Sequence, residues 1–218
     1  MAPNHLSNLK QKPILHPTQH RITTMIKMTG LFVIGLICTS ACTTQPVKNV
    51  EYFILSNGNA SSSPTQQQKP IVVVNQIILP SYLDTSNLAM QLSDHQIYYS
   101  KQHFWAEPLK TGMTNALLED LNGSNSNNVY LAKIDDAKVE SPHQLGLHIR
   151  QFMPTYQSTV ILNGQYWLVG PASDKNQAEV YSFAYEVELE EDGYRHSVSK
   201  MRALLRRLST DILNKVEK

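Results

Sequence analysis

Between Lys27 and Cys42 the chain carries one apolar run, Met28-Thr-Gly-Leu-Phe-Val-Ile-Gly-Leu-Ile-Cys-Thr-Ser-Ala-Cys42, and this run decides how much of the chain is left to fold. Its apolar part is about ten residues long, whereas a helix that crosses a bilayer needs about twenty. A basic residue before it and small residues after it complete the pattern of a secretory signal segment, which is removed. Residues 1–41 are therefore set aside as signal peptide. Up to residue 24 they are polar, with His5, His16 and His20 and no useful hydrophobic period. Met25-Ile26-Lys27 suffices as a charged start, so translation is expected to begin there. The alternative is a long leader from Met1, removed at the same point.

Ser40-Ala41-Cys42 resembles the lipobox of bacterial lipoproteins, in which the cysteine thiol is acylated and the chain is cut just before it. Thr39 departs from the leucine that the pattern prefers, and a plain signal peptide with an unrelated cysteine is the alternative. The polar Thr43-Thr44-Gln45-Pro46 that follows reads as a lipoprotein tether. One acyl chain binds a membrane only marginally, and two or more make a stable anchor. Thr43 is not the aspartate that commonly marks inner-membrane retention, so an anchor in outer-membrane lipid through Cys42 is expected. Residues 42–50 form the lipidated tether.

The cut changes the charge balance. All 18 acidic residues follow Cys42, whereas Lys10, Lys12, Arg21 and Lys27 precede it, which leaves 15 basic residues and a net charge of about −3. No clustered basic surplus remains to suggest nucleic acid. With Cys38 removed and Cys42 acylated, no disulfide is expected. The residues that remain suit one domain, 51–218, long enough to build a core without staples.

Glu51 to Ser56 reads as a short strand, and Asn57 to Lys69 as a polar surface loop. Ile71 to Leu79 is apolar almost throughout, the pattern of a strand buried on both faces, and Pro80 ends it. Leu88 to Tyr99 alternates on either side of Ser93-Asp-His-Gln96, as a hairpin does. Pro108 then opens a helix whose apolar stripe is Leu109, Met113, Leu117 and Leu121. Gly112 inside it costs about 1 kcal/mol relative to alanine, and Asn122-Gly123 stops it. Strands follow at Val129–Ile134, Gln144–Met153 and Thr159–Val169, the last with a bulge or kink at Asn163-Gly164. Val180 to Glu190 alternates strictly, with Tyr181, Phe183, Tyr185, Val187 and Leu189 on the buried face. The final helix has Ser197 as candidate N-cap and Val198, Met201, Leu205, Leu208 and Ile212 as core stripe. Its basic face, Arg202, Arg206 and Arg207, has two readings: a solvated flank with Arg207 and Asp211 paired at i, i+4, or a contact for anionic headgroups or an acidic partner. The whole is an α/β arrangement, a mixed β-sheet layered with helices.

Nothing in the sequence makes a catalytic or metal constellation, and no cofactor is expected. His143 and His148 are five apart, which misses the i, i+4 spacing of two ligands on one helix face. There is no Gly-rich phosphate loop and no Gly-x-Ser-x-Gly elbow. Glu186, Glu188, Glu190, Glu191 and Asp192 read as a solvated strand face and turn.

Leu79-Pro80-Ser81-Tyr82-Leu83-Asp84, followed by Trp105-Ala-Glu107-Pro108-Leu109 opening a helix, resembles the ABC-type transport auxiliary lipoproteins, a PqiC-like family. Tyr52-Phe-Ile-Leu55 fits the family's opening strand; Phe152, Val160-Ile-Leu162 and Tyr166-Trp-Leu168 fit its later strands. The resemblance implies a non-enzymatic outer-membrane lipoprotein with a fold similar to the N-terminal domain of TolB. It implies an auxiliary role beside an MCE-domain (PqiB-like) periplasm-spanning protein in lipid transport and membrane integrity, and homo-oligomers in some members. In such a domain Trp105 packs back on Leu109, Glu107 complements the helix dipole and Pro108 fixes the angle at which the chain enters the helix. Tyr82-Leu83-Asp84 forms a turn in which Asp84 accepts backbone hydrogen bonds. These residues either shape the fold or touch a partner; Tyr82, Trp105 and the loop Ser93–Gln96 are the first candidates for contact. The rival readings are a stand-alone lipid-binding carrier, which needs an apolar cavity, and a periplasmic hydrolase, which needs a nucleophile–base pair.

Overall fold

In a computed structural model of the chain, residues 49–58, 69–123, 126–133, 143–170 and 178–216 are described. Cys42, the signal segment and Ile134 lie outside them. The described residues form two sheets. The smaller has the order β1-β4-β3, from β1 (Glu51–Phe53), β3 (Asn87–Ser93) and β4 (Gln96–Trp105). The larger has the order β5-β2-β6-β7-β8, from β2 (Ile71–Val74), β5 (Val129–Ala132), β6 (His143–Pro154), β7 (Thr159–Val169) and β8 (Glu179–Glu188). It is mixed: β2 runs parallel to both β5 and β6, and β6, β7 and β8 are antiparallel. Helices α1 (Leu109–Gly123) and α2 (Tyr194–Val216) pack on each other, α1 against β5 and α2 across β6, β7 and β8. β3 of the small sheet meets β6 of the large one. The expected α/β class is thus realised, with two sheets rather than one.

The helices form where the apolar stripes predict them. Met113, Ala116, Leu117 and Leu121 of α1 meet Leu204, Leu205, Leu208 and Ile212 of α2 in one continuous core with Leu147, Ile149, Val160 and Leu162. Each such buried aliphatic side chain contributes about 1.5–3 kcal/mol by leaving water. Asn122 ends α1 by bonding β5 twice: its amide nitrogen donates to the Tyr130 carbonyl and its oxygen accepts the Tyr130 N–H, each at 2.9 Å.

Four local expectations change. The run Ile71–Leu79 is not one doubly buried strand. β2 stops at Val74, Asn75 still donates its N–H to Leu145, and the chain rejoins the ladder only at the Ile78–His148 bridge. Four residues of this segment span three of β6, so Ile77 turns inward and Ile78 outward. The irregularity expected at Asn163-Gly164 sits on the neighbouring strand: β6 carries an extra residue, Arg150, between Ile149 and Gln151, while β7 runs straight. Gly164 is needed there because a Cβ would lie 2.2 Å from the His148 carbonyl oxygen. The N-cap is not Ser197, which is buried in the first turn of α2 with its hydroxyl on the Gly193 carbonyl. Gly193, at φ 108°, makes the turn into the helix. Arg207 does not pair with Asp211: it lies 4.6 Å over the Tyr185 ring, and Asp211 accepts the Tyr185 hydroxyl.

Candidate functional site

The two motif segments, twenty residues apart in sequence, come together. Pro80 ends the segment after β2, and a turn follows in which Leu83 donates its N–H to the Pro80 carbonyl at 2.9 Å and Asp84 to that of Ser81 at 3.2 Å. Asp84, Thr85 and Ser86 then form one wall of a groove of about 360 Å³. The other wall is Trp105, Ala106, Glu107, Pro108 and Leu109. One backbone bond joins the walls, Trp105 N–H to the Ser86 carbonyl at 2.7 Å, and a second ties Ala106 N–H to the carbonyl of Phe53 on β1 at 2.9 Å.

Leu83, Trp105 and Leu109 belong to the hydrophobic core, and Trp105 and Leu109 are the buried apolar part of the groove's lining. Tyr82 is half-buried; its hydroxyl donates to the carbonyl of Arg150, the bulge residue, and its own carbonyl accepts the Tyr99 hydroxyl at 3.1 Å. Burial, with Tyr99 close by, pushes the Tyr82 phenol above its usual range. Asp84 does not take backbone hydrogen bonds on its carboxylate as the sequence suggested; it faces the Lys110 ammonium at 3.6 Å. Pro108 stands just before the helix and its carbonyl accepts the N–H groups of Thr111 and Gly112. Glu107 lies along the start of α1, where its carboxylate accepts from the Asn115 amide of the second turn at 3.4 Å. Gly112 makes room for it, because a Cβ there would lie 3.3 Å from the carboxylate oxygen. The groove therefore offers two carboxylates, Asp84 and Glu107, beside the apolar Trp105 and Leu109, with the Lys110 ammonium facing Asp84. It can accept hydrogen bonds and hold a cationic or amide-rich chain, and it holds no nucleophile–base pair.

Lys110, Thr85 and Ser86 were not among the sequence candidates. The signal for Lys110 was its place one residue past the motif on a helix that begins opposite Asp84. The hairpin loop lies elsewhere: Asp94, at its tip, accepts the Tyr156 hydroxyl at 2.8 Å. The basic face of α2 is largely used within the domain. Arg202 grips Asp120 of α1 in a bidentate pair, and the Arg206 Nε lies 3.7 Å from the same carboxylate. Among the described residues no three of His, Cys, Asp and Glu are placed to share a metal ion, and no helix is long and apolar enough to cross a membrane.

The family model of the ABC-type transport auxiliary lipoprotein component matches residues 52–213. The chain belongs to that family. Within it, the intermembrane transport lipoprotein PqiC of Escherichia coli strain K12 is 20% identical over 188 residues, covering 86% of this chain and 97% of that protein, as is the Shigella flexneri PqiC. Among solved structures, an uncharacterised protein superposes with a TM-score of 0.65 at 20% identity over 77% of this chain and 99% of its own. A Xanthomonas campestris protein follows at 0.55 and 13% identity, over 77% and 90%. These likenesses carry the fold; the family match assigns a transport auxiliary lipoprotein.

Proposed function

We propose that this auxiliary lipoprotein is a non-enzymatic adaptor, fixed by acylated Cys42 to the periplasmic face of the outer membrane. There, domain 51–218 docks a PqiB-like MCE-domain protein that reaches across the periplasm to move lipids. The observation that carries the reading is the convergence of the two family motifs on one groove. Their buried apolar members hold the fold, and Asp84, Glu107 and Pro108 line the groove that meets a partner. The relatives named for intermembrane transport support the transport role. A stand-alone carrier of acyl chains is the less favoured reading, because a groove with two carboxylates in its lining suits a polar chain better than a hydrocarbon one. Recovery of an MCE-domain protein with the intact chain from cross-linked envelopes, reduced by Asp84→Ala/Glu107→Ala, tests the proposal; recovery unaffected by the double substitution removes the groove from it.

A further inference from the structure

The outward face of β1 is apolar where an exposed edge strand is ordinarily polar or charged. Tyr52 of β1 and its flanking residues Val50 and Ile54 are 68, 51 and 51% exposed, whereas Leu55 is buried and Phe53 packs against the core. Phe104, the partner of Tyr52 on β4, extends the patch, with the two rings 5.8 Å apart. A row of apolar side chains on a sheet edge invites aggregation unless something covers it. The position in the chain points to the cover. Val50 lies eight residues after Cys42, a stretch that spans at most roughly 28 Å when fully extended. The surface that holds Cys42 is therefore within reach of β1, the first element of the domain. Tyrosine suits the headgroup level of a bilayer, with its ring in apolar surroundings and its hydroxyl in water. Beside the strand, Arg195 stands 3.9 Å from Glu51 with its side chain 87% exposed, a cation available to lipid phosphate.

We propose that Val50, Tyr52, Ile54 and Phe104 form a second, non-covalent membrane contact that seats the domain on the headgroup interface of the bilayer holding its anchor. This rests on the acylation of Cys42 proposed above. Tethering makes the contact intramolecular, at an effective concentration on the order of millimolar, so four side chains suffice where they would not hold a free protein. The seat fixes which way the domain faces: β1 turns to the bilayer, and the domain does not swing freely on its tether.

With Cys42 acylated, a cysteine introduced into the mature chain is the only free thiol. A nitroxide on Ile54→Cys, in acylated protein on vesicles of phosphatidylethanolamine and phosphatidylglycerol, reads the contact directly; the same label on Ala184→Cys of β8 is the reference. The expected result is a several-fold fall in collisions with a water-soluble nickel chelate and a rise in collisions with oxygen at position 54 only. Equal nickel collisions at both positions would overturn the seat. Protection of position 54 from both reagents would also overturn it, because a protein surface, such as a second copy, would then be the cover. The mass of the vesicle-bound chain reports acylation separately. An unacylated chain would defeat the anchor and the seat together, whereas an acylated chain with an unprotected position 54 defeats the seat alone.

Discussion

Arg202 on α2 holds Asp120 on α1 through two hydrogen bonds of 2.6 and 2.7 Å, the closest charged contact between the helices. Both side chains are mostly buried, at 17% and 10% exposure. Removing the guanidinium leaves a carboxylate with little water to replace it, a loss of about 3 kcal/mol. Arg202→Ala should lower the denaturant midpoint accordingly, and Arg202→Lys should recover only part because the fork is lost. Arg206, 69% exposed at 3.7 Å from the same carboxylate, should matter by less than about 1 kcal/mol. Equal effects at the two positions would contradict this assignment.

The two glycines of the β6–β7 ladder should differ in tolerance. At Gly164 a Cβ meets the His148 carbonyl, which is backbone, at 2.2 Å. At Gly146 it meets the Trp167 indole at 2.1 Å, and a side chain can move aside. Gly164→Ala should cost about 4 kcal/mol or prevent folding, and Gly146→Ala about 1–3 kcal/mol. Thermal unfolding of both proteins decides the order.

Tyr82→Phe removes the hydroxyl that satisfies the Arg150 carbonyl at the bulge. The expected loss is about 1 kcal/mol, with faster amide exchange confined to the bulge and its neighbours on β7. Unchanged exchange there would separate Tyr82 from the bulge.

Glu190 reports on the start of α2. Hydrogen bonds from Lys200, its own backbone and His196 hold its carboxyl down from 4.5 to about 2. The folded chain therefore binds this proton less tightly than the unfolded one. The stabilisation is complete above pH 4.5 and is lost as pH falls towards about 2. An NMR titration of the Glu190 carboxyl should show the low midpoint, and Lys200→Ala should raise it; the same midpoint in both proteins would refute the pairing.

The sequence made the helices legible because their apolar residues recur every three or four positions, and it made β8 legible because its tyrosines and glutamates alternate. It could not show that Ile71–Leu79 breaks after Val74, because an extra residue in a parallel ladder leaves composition untouched. Asn163-Gly164 pointed to the right place but the wrong strand: glycine is required opposite the bulge, where the β6 backbone presses on β7. The motif segments were legible as motifs. Their juxtaposition was not, because it depends on β4 running on to Trp105 and pairing with β1, beyond the hairpin that the alternation marked. Ser197 looked like a cap because serine before an apolar stripe usually is one, but Gly193 starts the helix a turn earlier.

An affinity pull-down of the acylated protein from cross-linked envelopes separates the anchored adaptor proposed above from a stand-alone lipoprotein. As an anchored adaptor, the chain should bring down an MCE-domain protein, and Cys42→Ser, which removes the thiol proposed to carry the anchor, should abolish its recovery. Clean recovery of the chain without such a partner, or recovery undiminished by Cys42→Ser, would contradict that proposal.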